Sequence, residues 1–543
     1  MAVTLTDKIV FKRLTAVGNN TFFYEGTGVS AGTMTELTTT GLAVDTSDQL
    51  EIASAYQKVF VANGAKLYVA DFINSKIATA AIGATVPVRN EVLTGQSSGA
   101  TMVVDFITAS SSACTVYGYR TSTATFTASE NIHGTACTEF NMTATAEVAS
   151  PHWYAWTPYA NNTTTYGSMP SKAYLVCVYR GRLVLAGHPD YPYRWWMSRV
   201  GNPWDWLYVD NDPLSPVSGN TGEVGEVGDM MRCLIPIRDD YLVMGKASNV
   251  SLLRGDPCSA GSMDLLTSAS GIFGARSFCF DADSTLYFMG EGGIYSLSRD
   301  FGELKCISIL PLPNLIKDED IDTSVHRITM AYDREREGLF ISITTLADGH
   351  NSCYWYDLRT QGFFPESYPH ENGCYSSFYY DANDKDYSGM LIGCKDGYIR
   401  VHGNTTKSDN TGTGSSAISS YMTLPILSLS DNLSKEGKLT SLTFDLAGGA
   451  SSGTFSDTDQ VDYAIYSGPD AETVLEDIKD GATAQTSGTL SGTGRQNKIR
   501  DRVRGTYLAL RLSNSTAAKT WALNRVSATI EPYQGQETNK EVT

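Results

Sequence analysis

The stretch DANDKDYSG at 381–389 gathers four oxygen-bearing side chains, Asp381, Asn383, Asp384 and Asp386. Oxygen donors at near-alternate positions suit a calcium ion. The stretch has no Gly at its sixth position and no Glu at its twelfth, which excludes an EF-hand, and a solvated turn explains the same residues. The seven histidines (His133, His152, His188, His326, His350, His370 and His402) show no HExxH or other ligand spacing, so packing or surface roles are expected for them. The ten cysteines form no CxxC pair, which argues against zinc of the usual spacing. Several sit in apolar runs such as YLVCVY and ARSFCF, where a thiol behaves as a small buried hydrophobe. Free thiols and assembly in a reducing cytoplasm are expected. Neither a GxSxG elbow nor a P-loop is present. No catalytic residue, cofactor or metal is assigned, and the chain is expected not to be an enzyme.

The most distinctive stretch is YPYRWWMSRVGNPWDWLYVD at 191–210. Tyr191, Tyr193, Trp195, Trp196, Trp204 and Trp206 are its candidate interface residues, since Trp, Tyr and Arg dominate binding hot spots. The same rings could stack on sugars or bases, or fill a sheet core beneath a structured loop. All three readings stand at this point.

The elements that would position these residues are strands. The chain has 543 residues, 42% hydrophobic and 18% charged, which is globular composition. Its 49 Gly and 30 Tyr, with many Ser and Thr, favour strands and tight turns. The one clear helical stretch is AETVLEDIKD at 471–480. The amino terminus lacks the pattern of a secretory leader, and no apolar run of about 18 residues marks a membrane helix. A net charge of −18 argues against a protein that grips duplex DNA through a basic patch.

Six strand–turn–strand units recur, beginning near 59, 174, 231, 276, 328 and 376. Four of the five gaps fall between 45 and 57 residues, close to the roughly 40–50 of a four-stranded propeller blade. The first gap is 115 residues and falls to 47 when the Thr-, Ser- and Ala-rich segment 83–150 is set aside as an insertion. The expected fold is all-β: an about six-bladed β-propeller with an inserted small β domain and a carboxy-terminal β-sandwich. The expected divisions are an arm at 1–50 whose TFFYEG closes the ring beside the last blade, a first blade at 51–82, the insertion at 83–150, further blades at 151–405, a polar linker at 406–417, a sandwich at 418–535 and a mobile tail at 536–543.

The segment RLVLAGHPDYPYRWWMSRVGNPWDW at 182–206 resembles a stretch of phage tail proteins, R-L-x-x-A-G followed by S-R-x-G-N/D-P-x-D-W/F. Arg182, Leu183, Ala186 and Gly187 match the first half; Ser198, Arg199, Gly201, Asn202, Pro203, Asp205 and Trp206 match the second. The layout over roughly 55–410 is similar to the tail nozzle, or tail tubular protein B, of short-tailed phages. The ending RGTYLALRLSNSTAAKTWALNRVSATIEPY is similar to that group's closing strands, and NEVLTGQSSGATMVV at 90–104 to small β modules of phage structural proteins. The resemblance implies a virion protein made in the host cytoplasm. It also implies a homohexameric ring through which DNA leaves the capsid, docked to tail adaptor and fibre proteins, with transient non-specific passage of DNA and no membrane insertion. Two other functions stay open, a receptor- or glycan-binding tail module and a propeller glycoside hydrolase. The absence of S-x-D-x-G-x-T-W turns, the mark of sialidase-type propellers, counts against the second.

Overall fold

Strands that are apolar without alternation must bury both faces. In the computed structural model Lys58–Asn63, Arg182–His188 and Leu286–Gly290 are buried at every position. The structure describes residues 13–25, 33–82, 85–110, 113–219, 228–382, 384–403, 407–430, 436–447, 458–491 and 497–532. The chain divides into two units, Met1–His402 and Gly403–Thr543.

The first unit is a β-propeller. Its first sheet comprises Leu50–Ala55, Lys58–Asn63, Leu67–Asp71 and His152–Ala155; its second, Leu175–Tyr179, Arg182–His188, Tyr191–Met197 and Val217–Ser218. The third comprises Met231–Ile237, Tyr241–Lys246, Val250–Asp256 and Ser259–Thr267; the fourth, Phe278–Phe280, Leu286–Gly290, Gly293–Leu297 and Leu304–Cys306. The fifth comprises His326–Asp333, Gly338–Thr345, Asn351–Asp357 and Gly362–Glu366; the sixth has three strands, Cys374–Tyr380, Gly389–Cys394 and Ile399–Val401. Each is an antiparallel meander in chain order. The hairpin tips use left-handed backbone, as at Tyr56–Gln57 (φ 53° and 58°) and Arg180–Gly181 (φ 50° and 68°), the geometry of a two-residue primed turn.

Alternate side chains of one strand face opposite neighbours. In the second sheet Leu183 and Leu185 pack toward the first, while Val184 and Ala186 pack toward the third. In the third, Leu242 and Met244 turn back to the second and Val243 turns to the fourth. In the fifth, Leu339 and Ile341 face the fourth and Phe340 faces the sixth. An amino-terminal sheet of Thr15–Gly18, Thr21–Tyr24 and Thr35–Leu37 completes the circuit. Its Phe22 packs on Val59, Val61, Tyr68 and Trp153 of the first sheet, and Leu14 and Met34 pack on Tyr380, Leu391 and Ile399 at the sixth. This corrects the expected closing strand. Thr21–Tyr24 pairs only within its own sheet, so among the described residues closure is by side-chain packing rather than by a shared ladder.

The insertion is a closed six-stranded barrel of Ser75–Ala81, Val92–Gly95, Thr101–Ile107, Thr115–Arg120, Asn131–Gly134 and Phe140–Met142, placed between the third and fourth strands of the first sheet. It starts eight residues before the expected boundary at 83, because Asp71 turns the chain out of the sheet. The Asp71 carboxylate accepts the backbone N–H groups of Ile73 and Asn74 and the Asn74 amide. Two Glu-x-x-x-Gly segments, on the paired strands Val92–Gly95 and Asn131–Gly134, clasp each other. The Glu91 carboxylate accepts N–H groups of Ala136 and Cys137 at 2.7 and 2.9 Å and lies against Gly134. The Glu130 carboxylate accepts those of Ser97 and Ser98 at 3.2 and 3.0 Å, with the bare face of Gly95 against it.

The second unit is a β-sandwich. One sheet holds Ser420–Thr423, Tyr507–Asn514, Gln460–Gly468 and Thr486–Ser491, with Leu427–Ser428 also on Tyr507–Asn514; the other holds Asn497–Ile499, Gly437–Leu446, Val503–Gly505 and Leu523–Pro532. Leu508, Leu510 and Leu512 point into the core between them. Ala509, on the other face, packs under Val474 of helix Ala471–Lys479, which is capped by Asp470. The expected linker includes a short hairpin, Asp409–Asn410 with Ser415–Ser416. The expected tail at 536–543 lies outside the described residues. Among the described residues no helix is long and apolar enough to cross a membrane.

The barrel clasp generates the first prediction. Burial pushes Glu91 and Glu130 up, but the converging amides outweigh it and hold both carboxyls below the usual range. Their contribution is therefore complete above the unfolded carboxyl pKa of about 4.3 and is lost as pH falls through the lower folded value. Gly134→Ala, which sets a methyl against the Glu91 carboxylate, is expected to cost about 1–3 kcal/mol in urea unfolding at pH 7. Equal stability of variant and parent would refute the clasp.

Candidate functional site

The resemblance motif is built around Arg182, whose side chain is fully buried. Its Nη1 donates to the carbonyls of Ser198 (3.1 Å) and Ser215, and its Nη2 to that of Pro213 (2.9 Å) and to both Asp256 oxygens (3.3 Å each). One guanidinium thus gathers the loop 198–216 and joins the second sheet to the third. Ser198 Oγ accepts the Leu183 N–H at 3.0 Å, and Asn202 Oδ1 accepts the Trp204 N–H at 3.2 Å. Gly201 holds φ +69°, and its N–H donates to Gly181 O at 2.8 Å. The Pro203 carbonyl accepts the indole N–H groups of both Trp156 and Trp206, at 2.9 and 3.1 Å. Arg199 pairs with Asp212 at 2.6 Å, and Arg89 of the insertion donates to Gly201 O at 3.1 Å.

These contacts divide the six candidate interface residues. Trp195 and Trp204 are 0% exposed and Trp206 is 7% exposed. Trp204 stacks on Phe106 of the barrel, ring centroids 4.2 Å apart, within the layer that also holds Phe60 and Trp156. Trp195 lies in the layer between the second and third sheets. These three tryptophans are core, which corrects their assignment to a docking surface: a ring without solvent contact has no area to offer a partner. Tyr191, 43% exposed, and half-buried Tyr193 and Trp196 remain at the rim. Arg194 lies over the Tyr191 ring at 4.5 Å, and His188 packs between Tyr191 and Trp196.

The first strands of successive sheets line the propeller axis, and there the structure holds a group that the sequence reading missed. Arg276, just before the fourth sheet, reaches Glu51 on the first strand of the first sheet. Nη2 stands 2.8 Å from Oε2, Nε donates to Oε1 at 3.1 Å, and Nη2 also donates to Ile52 O at 3.2 Å. Arg327 of the fifth sheet lies over the Tyr375 ring of the sixth at 5.6 Å, with its charge also felt at Glu51. Burial pushes the Glu51 carboxyl above its usual range despite both arginines. Cys177 and Cys233 flank the pair, and burial raises both thiols, which makes them poor nucleophiles. The arrangement ties opposite sides of the ring across the axis. The only sequence signal was a carboxylate inside the strand LEIASA.

The acidic turn at 381–389 is spent on local structure. Asp384 Oδ1 caps the 3-10 turn Lys385–Tyr387 by accepting the Asp386 N–H at 3.0 Å, and Asn383 lies outside the described residues. All ten cysteines are free.

No family model matches the chain, and no curated protein matches it. Among solved structures it is similar to virginiamycin B lyase from Staphylococcus aureus at 10% identity, over 65% of this chain and 94% of that one, with a TM-score of 0.29. It is also similar to PorZ, a surface component of the type-IX secretion system of Porphyromonas gingivalis, at 10% identity over 94% and 64%, with a TM-score of 0.31. A third is the extracellular domain of a one-component system from Bacteroides thetaiotaomicron, at 9% identity over 88% and 68%, with a TM-score of 0.27. Scores this low carry no functional argument.

The axial pair generates the second prediction. Arg276→Ala leaves the buried Glu51 carboxylate without its donor and is expected to cost about 1–3 kcal/mol at pH 7. Glu51→Gln keeps a hydrogen-bonding amide in place and is expected to cost less. Denaturant melts that rank the two variants the other way would show that the pair does not brace the ring.

Proposed function

We propose that this chain is the structural subunit of a phage tail nozzle, a homohexameric ring that conducts DNA and docks to tail adaptor and fibre proteins. The observation that carries the reading is where exposed apolar side chains fall. Within Met1–His402 the most exposed of them lie on or beside the outermost strands of successive sheets: Leu265 (63% exposed) in the third, Ile309 and Leu310 (60% and 89%) after the fourth, Phe364 (51%) in the fifth, and Tyr398 and Val401 (57% and 64%) in the sixth. A monomer gains nothing from apolar residues on open sheet edges, which invite association unless a partner covers them. A ring covers such edges. The net charge of −18 suits a conduit that must not retain DNA. The motif Arg182–Trp206, by which the chain resembles tail proteins, supplies a rigid weld suited to a part that bears load.

Mass photometry and negative-stain microscopy of the full chain test the reading. A closed ring of six copies is expected. Leu265→Asp with Phe364→Asp is expected to shift it toward monomer, with the melting temperature of the monomer within a few degrees of the parent's. A monomer at every concentration, alone and in virions, would overturn the proposal. Retention of a glycan by Tyr191, Tyr193 and Trp196, lost in Trp196→Ala, would favour the receptor-binding reading instead.

A further inference from the structure

The sixth sheet holds two cysteines that the features described so far do not use. Cys374 opens its first strand, Cys374–Tyr380, Cys394 ends its second, Gly389–Cys394, and the ladder pairs the two directly. The Lys395 N–H donates to Gly373 O at 3.0 Å, while the Cys394 N–H turns to Tyr398 O. The cysteines are therefore a non-hydrogen-bonded pair, the kind in which opposite Cα atoms stand about 4.5 Å apart and side chains come closest. A disulfide spans Cα separations of about 4.4–6.8 Å. Both side chains enter one layer, facing the fifth sheet among Phe340, Met390 and Ile392. The backbone condition for a bond and the shared face are thus met together. The reduced thiols make only weak hydrogen bonds: Cys374 Sγ lies 3.3 Å from Thr329 Oγ1, and Cys394 Sγ donates to Ile392 O at 3.7 Å.

We propose that Cys374 and Cys394 form a reversible cross-strand disulfide when the chain meets an oxidising pool of small disulfides, and stay as thiols in a reducing one. Cys394, 7% exposed against 1% for Cys374, is the first to react. Arg400, ion-paired with Asp396 at 2.6 Å, lies beside its thiol and favours the thiolate, against the burial that raises both cysteines and slows the reaction. The Cys394 thiolate attacks one sulfur of the small disulfide and expels the first thiol. Cys374 then gives up its proton and attacks Cys394 Sγ, and the second thiol leaves. Two protein thiols are oxidised by two electrons, one small disulfide is reduced to two thiols, and these take up the two protons. Cys353 lies in the same layer, but on the fifth sheet. Sheets packed face to face stand about 10 Å apart, beyond a disulfide's reach. The bond would staple the three-stranded sheet that meets the amino-terminal sheet where the circuit closes. The proposal stands independently of the nozzle reading.

The test uses the full chain, reduced, desalted and incubated overnight with millimolar oxidised glutathione at mildly alkaline pH. Free thiols, counted after denaturation, are expected to fall from ten to eight, with peptide mapping placing the new bond between Cys374 and Cys394. The oxidised chain is expected to melt several degrees higher, because a cross-link restricts the unfolded chain, and dithiothreitol should reverse both changes. Cys353→Ser should oxidise as the parent does. Cys374→Ser, with unchanged circular dichroism, should instead trap glutathione on Cys394 and show no rise in melting temperature. Ten thiols remaining after incubation, or a bond mapped to any other pair, would overturn the proposal.

Discussion

Every sheet of Met1–His402 carries large apolar side chains on both faces, and only a neighbour on each side removes them from water. Leu183 and Val184 are adjacent in sequence, fully buried, and belong to different layers. A buried aliphatic side chain of this size contributes about 1.5–3 kcal/mol relative to exposure. A sheet with two such faces and one neighbour would leave half of that in solvent. The requirement repeats around the circuit until the amino-terminal sheet, with Phe22 on one side and Leu14 on the other, satisfies the first and sixth sheets together. The ring follows from two-faced burial, and each strand's unbroken apolar run records it.

That record explains what could be read from the sequence. Runs such as KVFVAN and LYFMG are apolar because both faces are covered, so the repeating units were legible, as was the helix at 471–480 from its composition. Closure was less legible. Phe22 in TFFYEG reads as strand, but nothing local distinguishes a strand that joins a neighbour's ladder from one that packs its side chains on it. The start of the barrel depended on Asp71, a fully buried carboxylate whose turn-forming role appears only when Ile73, Asn74 and Tyr154 converge on it.

The aromatic segment shows where the reading of type without place fails. Trp195 and Trp196 are neighbours of the same chemistry, yet strand alternation buries Trp195 fully in the layer toward the third sheet and turns Trp196 toward the first, where it is only half-buried. The informative residue was Arg182. An arginine inside the run RLVLAGH is costly to bury unless its donors are satisfied. Carbonyls of the loop 198–216 and the Asp256 carboxylate take its Nη donors, while the buried Nε is left without a hydrogen-bond partner among the described residues. The S-R-x-G-N-P-x-D-W pattern is therefore the sequence that a loop needs in order to wrap that guanidinium and present Trp204 to the barrel.

The axial contact bears on any transport role. With Arg276 joined to Glu51 from opposite sheets, and Arg327 beside them over Tyr375, charged side chains cross the centre of the propeller. Opening that axis would separate a buried carboxylate from its guanidinium and uncover the layers on either side, a cost no passing polymer repays in an acidic chain. If copies of this protein conduct DNA, the path runs between subunits, and each propeller serves as a closed wall segment. A wall of this kind needs rigidity within the subunit and stickiness at its edges. The Arg182 weld supplies the first, and the apolar rim from Leu265 to Val401 is suited to the second.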